Sequence, residues 1–212
     1  MDKKGYFITI EGIDGCGKTT QINKLKEYFS KADNSVVFTR EPGGVPSAEK
    51  IRGILLDKEN TDISPIAEML LFAASRAIHL EKVIIPAMQQ GKIVICDRFI
   101  DSSICYQGYG RGLSVDVVRQ INEVAIKGTM PDLTILLDIP AIVGAERNNA
   151  HADKKDRMEI EGVTFEEKVR EGYLKEAKKD PNRFLVVDAT QGIEEIFNDI
   201  IKGLFSKGIL NA

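Results

Sequence analysis

The 212-residue sequence predicts an α/β protein, a three-layer α/β/α sandwich around an open parallel sheet. Three observations carry that prediction. Five short apolar, β-branched runs recur at residues 6–11, 35–40, 92–97, 132–138 and 183–188, with longer helical patterns between them. Two of these runs, Ile93-Val94-Ile95-Cys96 and Leu133-Thr134-Ile135-Leu136-Leu137, show no polar alternation, as parallel strands covered by helices on both faces require. A glycine-rich phosphate-loop motif stands where the first run ends and the first helical pattern begins.

Taken in chain order, the first run leads into the glycine motif and a helix, and the second ends in Arg40. Residues 64–90 read as one long helix with Gly91 as its stop, directly before the third run. The fourth run is followed by a polar, charged, aperiodic segment, 148–158, expected to be an exposed mobile loop. A second helix rich in Glu and Lys, 162–179, ends at Asp180-Pro181 ahead of the last run. The length suits one domain, and no repeat or low-complexity linker divides the chain, so residues 1–212 are expected to form a single unit with a mobile lid at about 147–158.

Lysine and arginine number 29 and aspartate and glutamate 32, so the overall field gives no reason to expect a polyanion such as DNA as partner. Phosphate recognition must therefore be local. The three cysteines are odd in number and form no CxxC pair, which suits a reducing compartment. No apolar stretch approaches the roughly 20 residues needed to cross a membrane, and the expected location is the cytoplasm. His79 and His151 lack metal-ligand spacing and are expected to be a helix-surface residue and a lid residue. Cys16 is expected to be open to alkylation, with no catalytic role.

Gly12-Ile13-Asp14-Gly15-Cys16-Gly17-Lys18-Thr19, followed by Thr20, matches G-x-x-x-x-G-K-[ST] in its required context between strand and helix. Glycines let backbone N–H groups converge on phosphate oxygens, and the helix N-terminus adds a favourable dipole. Glycine usage near 7% implies roughly 0.01 chance matches in such a chain, so a mere helix-capping turn is a poor account of it. Lys18 is expected to reach the β- and γ-phosphates of a nucleoside triphosphate, and Thr19 to hold Mg2+. Phosphate loops serve switches, motors and kinases alike, so the acceptor must be sought at the other strand ends.

Those ends read Thr39-Arg40-Glu41-Pro42-Gly43-Gly44, then Cys96-Asp97-Arg98-Phe99, with Ser102-Ser103-Ile104-Cys105-Tyr106-Gln107-Gly108 after it. Together with the phosphate loop, Phe72-Ala73-Ala74-Ser75-Arg76 and Asp188-Ala189-Thr190-Gln191, they resemble the signatures of thymidylate kinases over essentially the whole chain. The resemblance implies a nucleoside monophosphate kinase fold with a five-stranded parallel sheet, an acceptor cleft, a mobile lid and usually a homodimer. It implies ATP as phosphoryl donor, Mg2+, and thymidine 5'-monophosphate as acceptor. By the same resemblance Arg98 holds phosphates at the transfer point and Arg40 the acceptor phosphate. Ser103 and Gln107 lie beside the base, Tyr106 crowds the sugar where a ribose 2'-hydroxyl would project, and Asp14 accepts from the sugar 3'-hydroxyl. Arg147 lies against adenine, with Thr190 and Gln191 on the same donor side. Phe99 stands where the family often has tyrosine or histidine.

The residues allow further steps. Asp97 can orient Mg2+ through water or position Arg98; an Asp-Arg pair that only closes a strand end is the alternative. Arg40 could instead pair at the surface with Glu41 or Glu49. Phe72 and Arg76, four apart on a helix, share a face, so a ring could stack on a base while the guanidinium reaches its edge. Arginine only donates, so Arg76 would favour the O4 acceptor of thymine or uracil over the N4 donor of cytosine. Phe72 alone could equally belong to the apolar stripe with Leu71 and Met69. The loop carries no arginine at its variable positions, so the resemblance implies a bacterial-type lid that supplies the charge; with Arg147 placed by that resemblance against adenine, Arg157 is the expected catalytic cation, ahead of Arg147, Lys154 and Lys155. A solvated charge run is the plainer reading of these lid cations.

Two rivals are weaker. A GTPase switch would need an Asn-Lys-x-Asp motif, which is absent from the sequence, and an Asp-x-x-Gly after the loop; the matches present fall at Asp2 and Asp14. Another nucleoside or nucleoside monophosphate kinase would share the loop and Arg98 but not the pairing of Phe72 with Arg76.

Overall fold

The computed structural model describes residues 5–30, 35–149, 157–158 and 161–210. The five apolar runs form the five strands β1 (Phe7–Glu11), β2 (Val36–Arg40), β3 (Ile93–Asp97), β4 (Leu133–Asp138) and β5 (Phe184–Asp188). All pair in parallel, in the order β2-β3-β1-β4-β5. Every residue of β1 is buried, because apolar side chains leave it on both faces and each face is roofed by helices. Phe7 joins the apolar cluster of Met69, Leu80 and Ile84, whereas Ile8 and Ile10 join that of Leu25, Ile200 and Leu204. Alternate residues of one strand thus serve two cores.

The helices are α1 (Lys18–Phe29), α2 (Pro46–Leu56), α3 (Pro65–His79), α4 (Ile85–Gln89), α5 (Ile100–Ser103), α6 (Val115–Ile126), α7 (Ala141–Asn149), α8 (Val163–Lys179) and α9 (Ile193–Ser206). The stretch expected at 64–90 is continuous. Ser64 Oγ accepts from the N–H of Ala67 at 3.3 Å, Pro65 occupies the first turn, and Gly91 ends the run with φ +73°. It is not uniform, since a wider π turn at Leu80–Ile84 joins α3 to α4. Pro86 follows directly, and a proline with no N–H to give and a ring that crowds the preceding turn is accommodated by that widening. A second π stretch, Ile104–Gly110, extends α5. Helix α7 reaches into the segment expected as a lid; Lys154, Lys155 and His151 lie outside the described residues.

Strand β1 lies between β3 and β4, so the chain builds one side of the sheet, crosses β1, and builds the other. The carboxyl end of β1 is therefore a topological switch point, where open α/β sheets bind ligands. Register brings the chemistry to one level: Ile10 and Arg40 both lie opposite Asp97. No described helix is long and apolar enough to cross a membrane.

Candidate active site

A cleft of about 840 Å3 opens at that switch point. One end is the phosphate loop. Gly17 takes φ +98° at the start of α1 and Gly15 φ +78°, a left-handed region that glycine enters without strain. A Cβ at Gly15 would sit 2.1 Å from the carbonyl oxygen of Gly144 in α7, so the loop and α7 are in backbone contact. Asp14, Gly15, Cys16, Gly17, Lys18, Thr19 and Thr20 line the cleft, whereas Gly12 and Ile13 stand behind it. Their carbonyls accept from Lys18 Nζ at 3.1 and 2.9 Å. Cys16 is not the reactive thiol its position suggested. It is fully buried, and burial raises its pKa despite the opposing charge of Lys18, so little thiolate forms.

Arg98 lies over this end. Its backbone has φ +67°, a strained value for a residue with a Cβ, and its N–H donates to Ile10 O at 3.0 Å. From there its guanidinium donates to Gly12 O (3.1 Å), Ser102 Oγ (3.2 Å), Tyr106 OH (3.1 Å) and Asp14 Oδ1, and lies 4.9 Å from the Tyr106 ring centre. Behind it Glu11 accepts from Phe99 N–H (2.7 Å), Ser102 Oγ (2.6 Å) and Tyr173 OH (2.7 Å). Burial, then the charge of Asp101, pushes Glu11 up to about 7. Burial and Asp14 do the same to Glu166, also to about 7. Asp97 lines the cleft with Thr19, and its buried Oδ1 has no hydrogen-bond partner. A strand-closing ion pair with Arg98 is thus not what Asp97 makes.

The other end of the cleft is lined by Phe72, Ser103, Tyr106 and Gln107. Here the expected pairing of Phe72 with Arg76 separates. Phe72 faces the cleft, while Arg76 is 2% exposed and does not line it. Arg76 donates to Glu41 (2.8 Å), Ser103 Oγ (2.9 Å), Phe99 O (2.9 Å) and Asn122, so four of the five N–H groups of its guanidinium are spent on the protein. Its guanidinium also lies 5.3 Å from the ring of Phe99, which stacks edge-on against Phe7 at 4.8 Å, so an apolar ring at 99 belongs to the core beneath Arg76. His79, expected at the surface, is fully buried between Glu41 (2.9 Å) and Thr39 (2.6 Å).

Two other cations also lie elsewhere than expected. Arg40 is paired with both oxygens of Glu49 (3.0 and 2.9 Å) and lines a neighbouring cavity instead. Arg157 donates to Leu55 O (2.8 Å) and Glu68 (2.7 Å), on the α2–α3 side, and is not part of the cleft wall. Arg147 does line the cleft, donating to Ala189 O at 3.0 Å, as does Gln191; Thr190 does not, and caps its own turn on Asp188 (2.6 Å). Sequence reading missed Glu11, Ser102, Met158 and above all Arg52, which lines both cavities and donates to Pro42 O at 3.0 Å. Helical spacing on α2 could have flagged Arg52, since it lies three residues after Glu49, one turn on from the partner of Arg40.

Parallel-sheet topology, a phosphate loop at the switch point and an arginine set between that loop and an aromatic pocket define a P-loop phosphotransferase. A family model described as thymidylate kinase matches residues 10–200. The chain is 50% identical over 198 residues to a thymidylate kinase of Thermoanaerobacter sp. (strain X514), covering 93% of this chain and 96% of that one. It is 47% identical to that of Pelobacter propionicus, covering 98% and 97%. A crystal structure of thymidylate kinase from Ehrlichia chaffeensis superposes with a TM-score of 0.77 at 38% identity, over 95% of this chain and 99% of the other. The chain belongs to the thymidylate kinase family.

Proposed function

We propose that this chain transfers the γ-phosphoryl group of ATP to thymidine 5'-monophosphate. The observation that carries this reading is the single cleft in which the phosphate loop and the Phe72–Gln107 pocket lie end to end with Arg98 between them. An oxygen of the acceptor phosphate attacks the γ-phosphorus, the bond from that phosphorus to the β,γ-bridging oxygen breaks, and ADP leaves with that oxygen and the electron pair of the broken bond. Little covalent chemistry falls to the protein, whose contribution is position and charge. Loop N–H groups and Lys18 hold the donor, and Lys18 exchanges loop carbonyls for phosphate oxygens at little cost. Arg98 exchanges Gly12 O and Asp14 for the transferring phosphoryl.

Mg2+ suits the residues present. Thr19 and Asp97 offer hard oxygen donors in one wall, and the buried Oδ1 of Asp97, which has no hydrogen-bond partner, is free to accept from the water shell of a cation. Bound there, the ion would neutralise charge on the β- and γ-phosphates. Arg147 and Gln191 extend the donor wall toward where adenine would lie. Phe72 gives the base a ring to stack on, and Tyr106, 5% exposed and tied to Arg98, narrows the space around the sugar.

A second copy of the chain is the proposed partner. Helices α3 and α6 pack together and carry exposed Ile66, Leu70, Val117 and Val124, apolar surface that a homodimer would cover. Residues 147–158 are proposed to act as lid over a single domain, in the cytoplasm, where the three free thiols would stay reduced. A coupled assay with ATP, Mg2+ and a panel of nucleoside monophosphates should give turnover with thymidine monophosphate and little with the cytidine, adenosine and guanosine forms. Absent turnover of thymidine monophosphate would overturn the reading. Sedimentation velocity of Leu70→Glu with Val124→Glu should show monomers where the parent sediments as a dimer.

A further inference from the structure

The buried carboxylate of Glu68 faces the pocket from behind. It is 1% exposed, and neither the phosphate loop nor Arg98 touches it. Its Oε1 accepts from Gln107 Nε2 at 2.9 Å and Arg111 Nε at 3.2 Å; its Oε2 accepts from Arg111 Nη2 at 3.2 Å and Arg157 Nη2 at 2.7 Å. Burial opposes its charge, but the hydrogen bonds of Arg111, Gln107 and Arg157 outweigh it and hold its pKa below the ordinary carboxylate value. Glu68 is therefore ionised at neutral pH, and an ionised carboxylate only accepts.

This has a consequence for Gln107, whose amide could otherwise turn either end toward the base. With Nε2 bound to an obligate acceptor, Oε1 is left over, and it has no partner among the described residues. We propose that Glu68 is a specificity-determining positioning residue: by fixing the Gln107 amide, it makes the pocket accept a base that carries an imide N–H and reject one that offers a lone pair there. Thymine and uracil have the N3–H; cytosine has an unprotonated N3. The proposal rests on the thymidylate reading of the same cleft. It adds to the recognition of the base an acceptor fixed from behind the pocket.

In Glu68→Gln the new amide can present either end, so Gln107 is released to turn. The ratio of kcat/KM for thymidine over deoxycytidine monophosphate should fall on the order of tenfold or more, the scale of one buried polar group left unpaired, with the KM for ATP unchanged. A ratio cancels the concentration of active enzyme, so partial loss of folded protein does not obscure it. In a Gln107→Ala background, which should itself lower the ratio, adding Glu68→Gln should change nothing further. The inference is overturned if Glu68→Gln keeps the parental preference, or if it lowers the ratio equally without Gln107. Should Glu68→Gln not fold, an unchanged preference in Gln107→Ala overturns it alone. A parent chain with no activity on thymidine monophosphate would instead sink the function proposed above.

Discussion

The two ends of the cleft hold their cations in opposite ways. At the donor end Lys18 and Arg98 rest on loop carbonyls, the hydroxyls of Ser102 and Tyr106 and Asp14, with Arg98 and Asp14 side chains 18% and 19% exposed. At the acceptor end Arg76 and Glu41 are each 2% exposed, and Glu68 is closed in by Arg111 and Arg157. Carbonyl partners can be exchanged for a phosphate, whereas a buried carboxylate cannot be given up without stranding a charge. On the function proposed above, donor-end cations would be free to take part in the reaction, and acceptor-end cations would build the shape in which it occurs.

The largest effect expected from this contrast is on turnover. Arg98→Ala should lower kcat by roughly 10^3- to 10^5-fold, the range for an arginine on a transferring phosphoryl, while the melting temperature changes little. A kcat within tenfold of the parent would make Arg98 a structural residue and erase the contrast. Arg76→Leu should do the reverse. Removing one partner of a buried ion pair costs about 3 to 5 kcal/mol, measurable as a shifted denaturation midpoint in urea, because Glu41 loses its guanidinium partner and Ser103 its donor. Retained stability with a collapsed preference for thymidine monophosphate would restore Arg76 as a direct reader of the base.

Arg157 sharpens the comparison because it is bound on the acceptor side, to Glu68 and to Leu55 O. Loss of its bonds to Glu68 and Leu55 in Arg157→Ala should cost about 1.5 to 3 kcal/mol, as for a hydrogen bond to a charged group, since Arg111 and Gln107 still hold Glu68. The equilibrium unfolding curve checks that figure. If kcat falls several hundredfold while both substrates bind as before, Arg157 leaves this latch and reaches the phosphoryl group in the transition state.

The same contrast explains what could be read in the sequence. Strands and the phosphate loop were legible because both depend on short-range chemistry: unbroken apolar runs buried on two faces, and glycines at positive φ at fixed spacing between strand and helix. Arg98 was legible because strand register carries it to the loop. Arg76 was not, although its spacing from Phe72 is helical. Two residues four apart share a face about one side chain wide, and whether the second reaches the cleft or stops at Ser103 depends on Glu41, Phe99 and Asn122, which come from three other segments. Glu68 and His79 were invisible for the same reason, since an isolated carboxylate or imidazole on a helix gives no sign of the partners that bury it.

The smallest expected effect tests whether the support behind Arg98 is also a buried charge. Glu11 titrates at about 7 in the folded chain against 4.5 as a free side chain, chiefly because of burial and Asp101. A raised carboxyl pKa means that the folded state keeps a proton the unfolded state has lost between those values. Stability should therefore fall as pH rises from about 4.5 to about 7, and the fall should level off above it. Glu166, also at about 7, adds in the same direction and window. Glu11→Gln removes one of the two titrations while keeping an acceptor for Phe99 or Ser102, so its melting temperature should drop less than the parent's between pH 5 and pH 8, and Glu166→Gln should behave likewise. Parallel curves for parent and Glu11→Gln would mean that Glu11 is ionised throughout. Arg98 and the hydroxyls of Ser102 and Tyr173 would then stabilise its charge fully, and the donor end would hold a locked ion pair of the kind that distinguishes the acceptor end.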